Sequence, residues 1–205
     1  MRLAPFASAA LALLAAPLIA QTAGPLPGAP DVARAHAGTY KVDPGHSQVV
    51  FTLNHLGFTE YTGQFTQPTG SLTLDPANPA RDAVDVTFPI DKVSTTVIAL
   101  DEHLKKPDFF DAAQFPTGRF VSTRIRITGM NAVIDGNLTL KGVTKPVTLQ
   151  AHFIGAGTNP LSKKLTIGFK ATTTVTRSQF GVSYGLPIVA DKVDLTINAA
   201  FEAAA

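Results

Sequence analysis

Apolar residues recur at every second position in one segment after another along this chain. Val49, Phe51 and Leu53 are spaced by two, as are Val84, Val86, Phe88 and Ile90, while Met130, Ala132, Ile134, Leu138 and Leu140 share one parity. The alternation continues through Val147, Leu149, Ala151 and Phe153, through Leu165, Ile167, Phe169 and Ala171, and through Val193, Leu195, Ile197, Ala199 and Phe201. Successive side chains of a strand face opposite ways, so each segment has one apolar and one polar face. The pattern predicts strands at about 40–55, 62–75, 83–90, 119–127, 130–141, 147–154, 165–174 and 192–202. Turn residues separate most of them, as in Asp75-Pro76-Ala77-Asn78-Pro79, Thr128-Gly129 and Gly155-Ala156-Gly157-Thr158-Asn159-Pro160.

One segment departs from this period. Over 95–110 the spacing of Val97, Leu100 and Leu104 predicts a short helix, with Ser94, Thr95 or Thr96 as its N-cap and Pro107 beyond its end. A second helical turn is expected at Asp108-Phe109-Phe110-Asp111. About eight antiparallel strands with one helical insertion imply an all-β fold, a barrel rather than a sandwich. Closure removes exposed strand edges, and an eight-stranded interior is either packed solid or holds one small ligand.

Composition narrows the partners. The chain of 205 residues fits one domain, and only 16% of it is charged, with a net charge of +2. That balance gives no electrostatic footprint for nucleic acid or an anionic membrane surface. Residues 1–20 have Arg2, an Ala/Leu-rich core and small residues near Ala20, which is the layout of a signal peptide with cleavage near Ala20 or Ala23; an uncleaved anchor is the alternative. Export is therefore expected. Residues 21–38, rich in Ala, Gly and Pro, read as a flexible linker, and 39–205 as the folded domain. There is no cysteine, so the core alone must hold the fold and thiol chemistry is excluded.

The chemical motifs are weak. Gly181-Val182-Ser183-Tyr184-Gly185 matches a nucleophile elbow, but a strand rather than a helix is expected after it and no histidine follows His152. Asp43, His46 and Ser47 read as a turn and a strand entry. His46, His55, His103 and His152 lack the spacing that sets two metal ligands on one face. No catalytic or metal role is assigned.

Several stretches together resemble the YceI-like family. Asp43-Pro44-Gly45-His46-Ser47, Asn54-His55-Leu56-Gly57 and Gly63-Gln64-Phe65 resemble the start of such a domain. Leu104-Lys105-Lys106-Pro107-Asp108-Phe109-Phe110-Asp111, with Phe115-Pro116 and Phe120-Val121-Ser122, resembles its helical insertion. Gly136 to Val147 resembles its most distinctive hairpin, and Arg177-Ser178-Gln179-Phe180-Gly181 its late loop. The resemblance implies a lipocalin-like barrel, usually bacterial and periplasmic, whose tunnel binds a polyisoprenoid or similar long-chain amphiphile. It also implies links to stress responses and to quinone-using membrane proteins; a homodimer remains open. Many members have an Arg-Asp pair before the helix's histidine, where this chain has Leu100-Asp101.

On that reading the tunnel wall, chosen by parity, comprises Phe51, Leu53, Phe65, Phe88, Ile90, Phe120 and Leu138, then Leu140, Phe153, Ile167, Phe169 and Leu195, with Phe109 and Phe110 added from the insertion. Each ligand CH₂ buried there contributes about 0.8 kcal/mol. The alternative is that the same phenylalanines fill the barrel as core. His103 and Arg177 are the head-group candidates, the arginine because a guanidinium grips phosphate with paired donors. Its alternative is a structural arginine tying down the late loop. No cofactor beyond the bound lipid is expected.

Overall fold

The computed structural model describes residues 24–204, and the expected signal peptide, 1–20, lies outside them. The strands are β1 (Gly38–Val42), β2 (Gln48–His55), β3 (Thr59–Thr66), β4 (Thr69–Leu74), β5 (Ala83–Pro89) and β6 (Val93–Ser94), then β7 (Thr117–Thr128), β8 (Asn131–Leu140), β9 (Val143–Thr158), β10 (Leu165–Thr176) and β11 (Lys192–Ala203). They form one antiparallel sheet in the order β1-β4-β5-β7-β8-β9-β10-β11, closed by β1 on β11. β2, β3 and β6 extend the sheet from β11.

This is the expected eight-stranded barrel, with three of its members broken. β1 and β2 lie end to end along β11, facing Phe201–Ala203 and Asp194–Asn198 respectively. The break is the Asp43–Ser47 turn, and it is carefully satisfied. Asp43 Oδ1 accepts from the Gly45 amide at 3.0 Å, and the Ser47 hydroxyl both donates to the Ala200 carbonyl and accepts from its amide. Ser47 thus restores the ladder that the kink interrupts. The expected strand 62–75 is divided at Gln67, which has φ 57°, and Pro68, which has no amide to give the ladder. The strand over 83–90 ends at Pro89 and resumes as β6 after a 3₁₀ turn at Ile90–Lys92.

Beyond Pro89, β6 pairs with β3 but not with β7. The helical insertion between β6 and β7 packs Leu104, Phe109 and Phe110 into one apolar cluster with Phe65, Phe88 and Val93. Its helix α1 spans only Ile98–Leu104, with Val97 at the N-cap and no side-chain cap. Thr95 acts elsewhere: its amide and hydroxyl both donate to Asp101 Oδ1, at 2.6 and 2.7 Å. The second turn at Asp108–Asp111 is a run of turns rather than helix.

Of the stretch read as a flexible linker, residues 27–36 are held against the barrel. Ala29 exchanges two hydrogen bonds with Ala156 of β9, Val32–Arg34 forms a 3₁₀ turn capped by Asp31, and Tyr40 donates to the His36 carbonyl at 2.7 Å. The strap approaches β9 so closely that a Cβ on Gly157 would sit 2.0 Å from the Pro27 oxygen. Only glycine admits that contact.

A tunnel through the barrel

Inward parity alone does not leave a barrel hollow; here the inward side chains are arranged so that it stays open. Gly63 faces Phe51 directly across β2 and β3, and Gly118 faces Phe88 across β5 and β7. A Cβ at Gly63, Gly118 or Gly136 would lie only 2.2–2.3 Å from the ring tip of Phe51, Phe88 or Phe120. Each ring therefore lies over a glycine, flat against the wall. The rings pack on one another along that wall, Phe51 on Phe65 at 5.7 Å between centroids, Phe65 on Phe88 at 5.1 Å, and Phe110 edge-on to Phe65 at 5.4 Å.

What remains is a cavity of about 590 Å³. The packed-barrel alternative is not what the structure shows. Such a volume is far too large to be a packing fault. An apolar cavity of about 150 Å³ lined by Leu, Ile and Phe already stays dry and takes up benzene.

Phe51, Leu53, Phe65, Phe88, Phe120 and Leu138 line the cavity, as do Leu140, Phe153, Phe169 and Leu195, together with Phe109 and Phe110 of the insertion. Ile90 and Ile167 do not. Ile90 is buried in the 3₁₀ turn, where its amide donates to the Pro116 carbonyl. Ile167 is buried in a cluster with Tyr40, Val42, Leu72 and Phe201, of which the last three line the cavity in its place. Other lining residues escaped the sequence reading. Ile125 and Ile127 turn inward because β7 has a bulge between Ser122 and Arg124, which reverses the parity set by Phe120. Their alternation with Arg124 and Arg126 was the available signal. Val32 and Ala35 reach the cavity from the strap, and Asp82 from the loop before β5.

The two ends differ. One is closed by the insertion and the late loop, residues 177–191, joined by Lys141, whose ammonium donates to the Pro107 carbonyl at 2.8 Å and the Gly181 carbonyl at 3.2 Å. His103, Phe109 and Tyr184 stack there with centroids 4.9–5.1 Å apart. His103 does not line the cavity; its Nε2 pairs with Asp108 at 2.7 Å, and that bond holds the Asp108 carboxyl below its ordinary range. Arg177 does line it, with four of its five N–H donors committed: Nε donates to Ala190 O, Nη1 to Val182 O and Tyr184 O, and Nη2 to Val189 O, all at 2.8–3.0 Å. Burial pulls the guanidinium below its usual pKa. Its position is that of the structural arginine tying the late loop.

At the other end the strap, the β4–β5 loop and the β7–β8 hairpin frame the cavity through Val32, Pro79, Asp82 and Met130. The catalytic patterns do not assemble. Ser183 is exposed in a loop, His46 pairs with Asp43 at 2.6 Å, and Ser47 is engaged with Ala200. The remaining histidines are dispersed, His152 on Asn131 and His55 against Tyr61.

A family model described as the YceI-like domain matches residues 40–201. The protein YceI of Escherichia coli is 39% identical over 164 residues, covering 79% of this chain and 85% of that protein. Among solved structures, BcnA of Burkholderia cenocepacia superposes with a TM-score of 0.69 at 25% identity, covering 78% of this chain and 98% of that one. A domain of Saccharophagus degradans, described as polyisoprenoid-binding and implicated in plant cell wall breakdown, superposes with a TM-score of 0.63, covering 80% of this chain and 98% of that one. At 14% identity the latter shows the shared fold alone.

Proposed function

The chain belongs to the YceI-like family, and from that premise we propose that it is an exported carrier that holds a long polyisoprenoid or related amphiphile, such as a quinone or prenyl lipid, without chemical turnover. The observation that carries this reading is the tunnel itself, about 590 Å³ walled mainly by Phe, Leu, Ile and Val. An apolar chain laid there gains about 0.8 kcal/mol per buried CH₂, so a few isoprene units offset the cost of immobilising it. The polyisoprenoid-binding description belongs to the distant neighbour; the lining is what argues for that ligand class here. Export rests on the leader pattern at 1–20, and a role in stress or beside a quinone-using membrane protein rests on the family resemblance.

The test is native mass spectrometry of protein recovered from the periplasm of its own source, with organic extraction of what accompanies it. A stoichiometric isoprenoid or other long-chain lipid supports the reading. A clean apo mass, unchanged after incubation with quinones and prenyl lipids, overturns it.

A further inference from the structure

Among the described residues, Leu56, Phe58, Val97, Ile98, Tyr184 and Ile188 are exposed large apolar side chains that gather at the insertion end of the barrel. Phe58 is 85% exposed, Ile98 80% and Ile188 65%. Three segments bring them together. The β2–β3 turn is bound to the late loop, where the Leu56 amide donates to the Ile188 carbonyl at 3.1 Å and the Ala190 amide to the Asn54 carbonyl at 3.0 Å. The late loop in turn touches the insertion, with Tyr184 stacked on His103 of α1 and on Phe109. Ile98 opens that same helix.

Single exposed apolar residues are ordinary, but a group of them in one place marks a contact surface. The fold does not account for these. Leu56 and Gly57 form the two-residue β2–β3 turn at φ 60° and 75°, closed by the Phe58 amide on the His55 carbonyl. Asparagine suits the first place of such a turn, and a leucine there is strained. Charge is absent as well: residues 49–59, 93–100 and 178–190 hold no Asp, Glu, Lys or Arg. The frame of the other end is charged, with Asp31 beside Arg34 and Asp75 beside Arg81.

We propose that the insertion end is a docking face for a neutral lipid bilayer, into which Phe58, Ile98 and Ile188 insert while the tunnel is loaded. The proposal rests on the lipid-tunnel reading and states where the lipid comes from. Two observations favour a bilayer over a protein as the partner. Charged side chains are costly in hydrocarbon and all three segments lack them, while Tyr184 adds a ring with a polar edge, which suits the boundary between membrane and water. The face is also continuous with the tunnel. Phe109 lines the cavity and packs on the exposed Tyr184, so the tunnel wall and the docking face share a side chain. A long apolar chain drawn from a bilayer past Phe109 never crosses water. Because the face carries no charge, docking needs no anionic lipid and survives high salt.

The chain has no tryptophan, so Phe58→Trp and Leu161→Trp each supply a sole fluorophore. Leu161 is 87% exposed in the β9–β10 loop, at the opposite end of β10 from the late loop. The probe is phosphatidylcholine vesicles with brominated acyl chains. Emission from Phe58→Trp should fall by about half or more, at high salt as at low, while that of Leu161→Trp holds. The double variant Phe58→Asp with Ile188→Asp should slow transfer of a fluorescent prenyl alcohol from vesicles to protein by about tenfold. Its affinity for the same alcohol added from ethanol should stay within about twofold, since neither side chain lines the cavity. Equal quenching at both positions, or none at Phe58→Trp, overturns the docking face and leaves the tunnel reading standing if the alcohol still binds. Self-association that the double variant abolishes, without quenching by vesicles, assigns the face to a second copy and overturns the proposal. Quenching without any binding of the alcohol overturns the tunnel reading instead.

Discussion

Replacing Gly63 with alanine tests why the barrel is hollow. The new Cβ would sit 2.3 Å from Cζ of Phe51 and 2.9 Å from both Cε atoms, whereas carbon atoms are comfortable at about 3.5–4.0 Å. The ring must retreat by about 1 Å, and the free direction is into the tunnel. Overpacking costs about 1–3 kcal/mol in a filled core, but a ring beside a void yields at the low end. Alanine also trims the unfolded chain's entropy by about 0.4–1 kcal/mol, so the net loss of stability should stay below about 1 kcal/mol. Binding should suffer more. If the displaced ring removes room for two ligand CH₂ groups, the loss is about 1.6 kcal/mol, slightly more than tenfold in affinity. Displacement of a fluorescent long-chain probe measures affinity, and urea denaturation measures stability. Gly168→Ala is the control, since its Cβ would meet nothing closer than 3.8 Å. Combining Gly63→Ala with Phe51→Leu should restore affinity by removing the ring tip. Equal affinity for Gly63→Ala and Gly168→Ala, with no coupling in the double variant, would refute the account.

Arg177→Met should destabilise the protein by about 3 kcal/mol or more in urea denaturation, because four carbonyls of the late loop lose their donor in a buried place; a loss under about 1 kcal/mol would show that water replaces the guanidinium there. Lys141→Met should cut the tie between insertion and late loop, so amides near Phe109–Ala112 and Gly181–Val182 should exchange faster by hydrogen exchange while those of β10 and β11 do not; unchanged exchange would remove Lys141 as a fastener. Stability should fall as pH drops below the ordinary carboxylate range of about 4. The carboxyls of Asp191, Asp85 and Asp135 are held below that range chiefly by hydrogen bonds from Ser178, Arg119 and Arg126, so their stabilisation is present above it and lost on protonation. Asp191→Asn should flatten the acid limb measured by thermal unfolding, and a steeper limb would contradict the assignment.

Period-two alternation made the β-class, the approximate strands and most of the wall legible in the sequence alone. It is a local signal: a strand with one face in an apolar interior and one in water must alternate, wherever its neighbours lie. Phe51, Leu53, Phe88, Phe120, Leu138 and Phe169 are on the tunnel because that parity held through their strands. Where the chain inserts a residue, parity fails, and Ile125 and Ile127 are on the wall because a bulge visible only through pairing with β8 turns them inward. Ile167 has the right parity and still misses the tunnel, because closure of the barrel packs it into a cluster with Tyr40 of β1 and Leu72 of β4. Parity likewise cannot tell a packed barrel from an open one. That depends on Gly63 falling opposite Phe51 and Gly118 opposite Phe88, a matter of register between strands. The sequence left Arg177 open between a head-group contact and a tie for the late loop, and gave no sign of Lys141, for the same reason: a guanidinium with four carbonyls and an ammonium spanning two loops are defined by which backbone atoms arrive beside them.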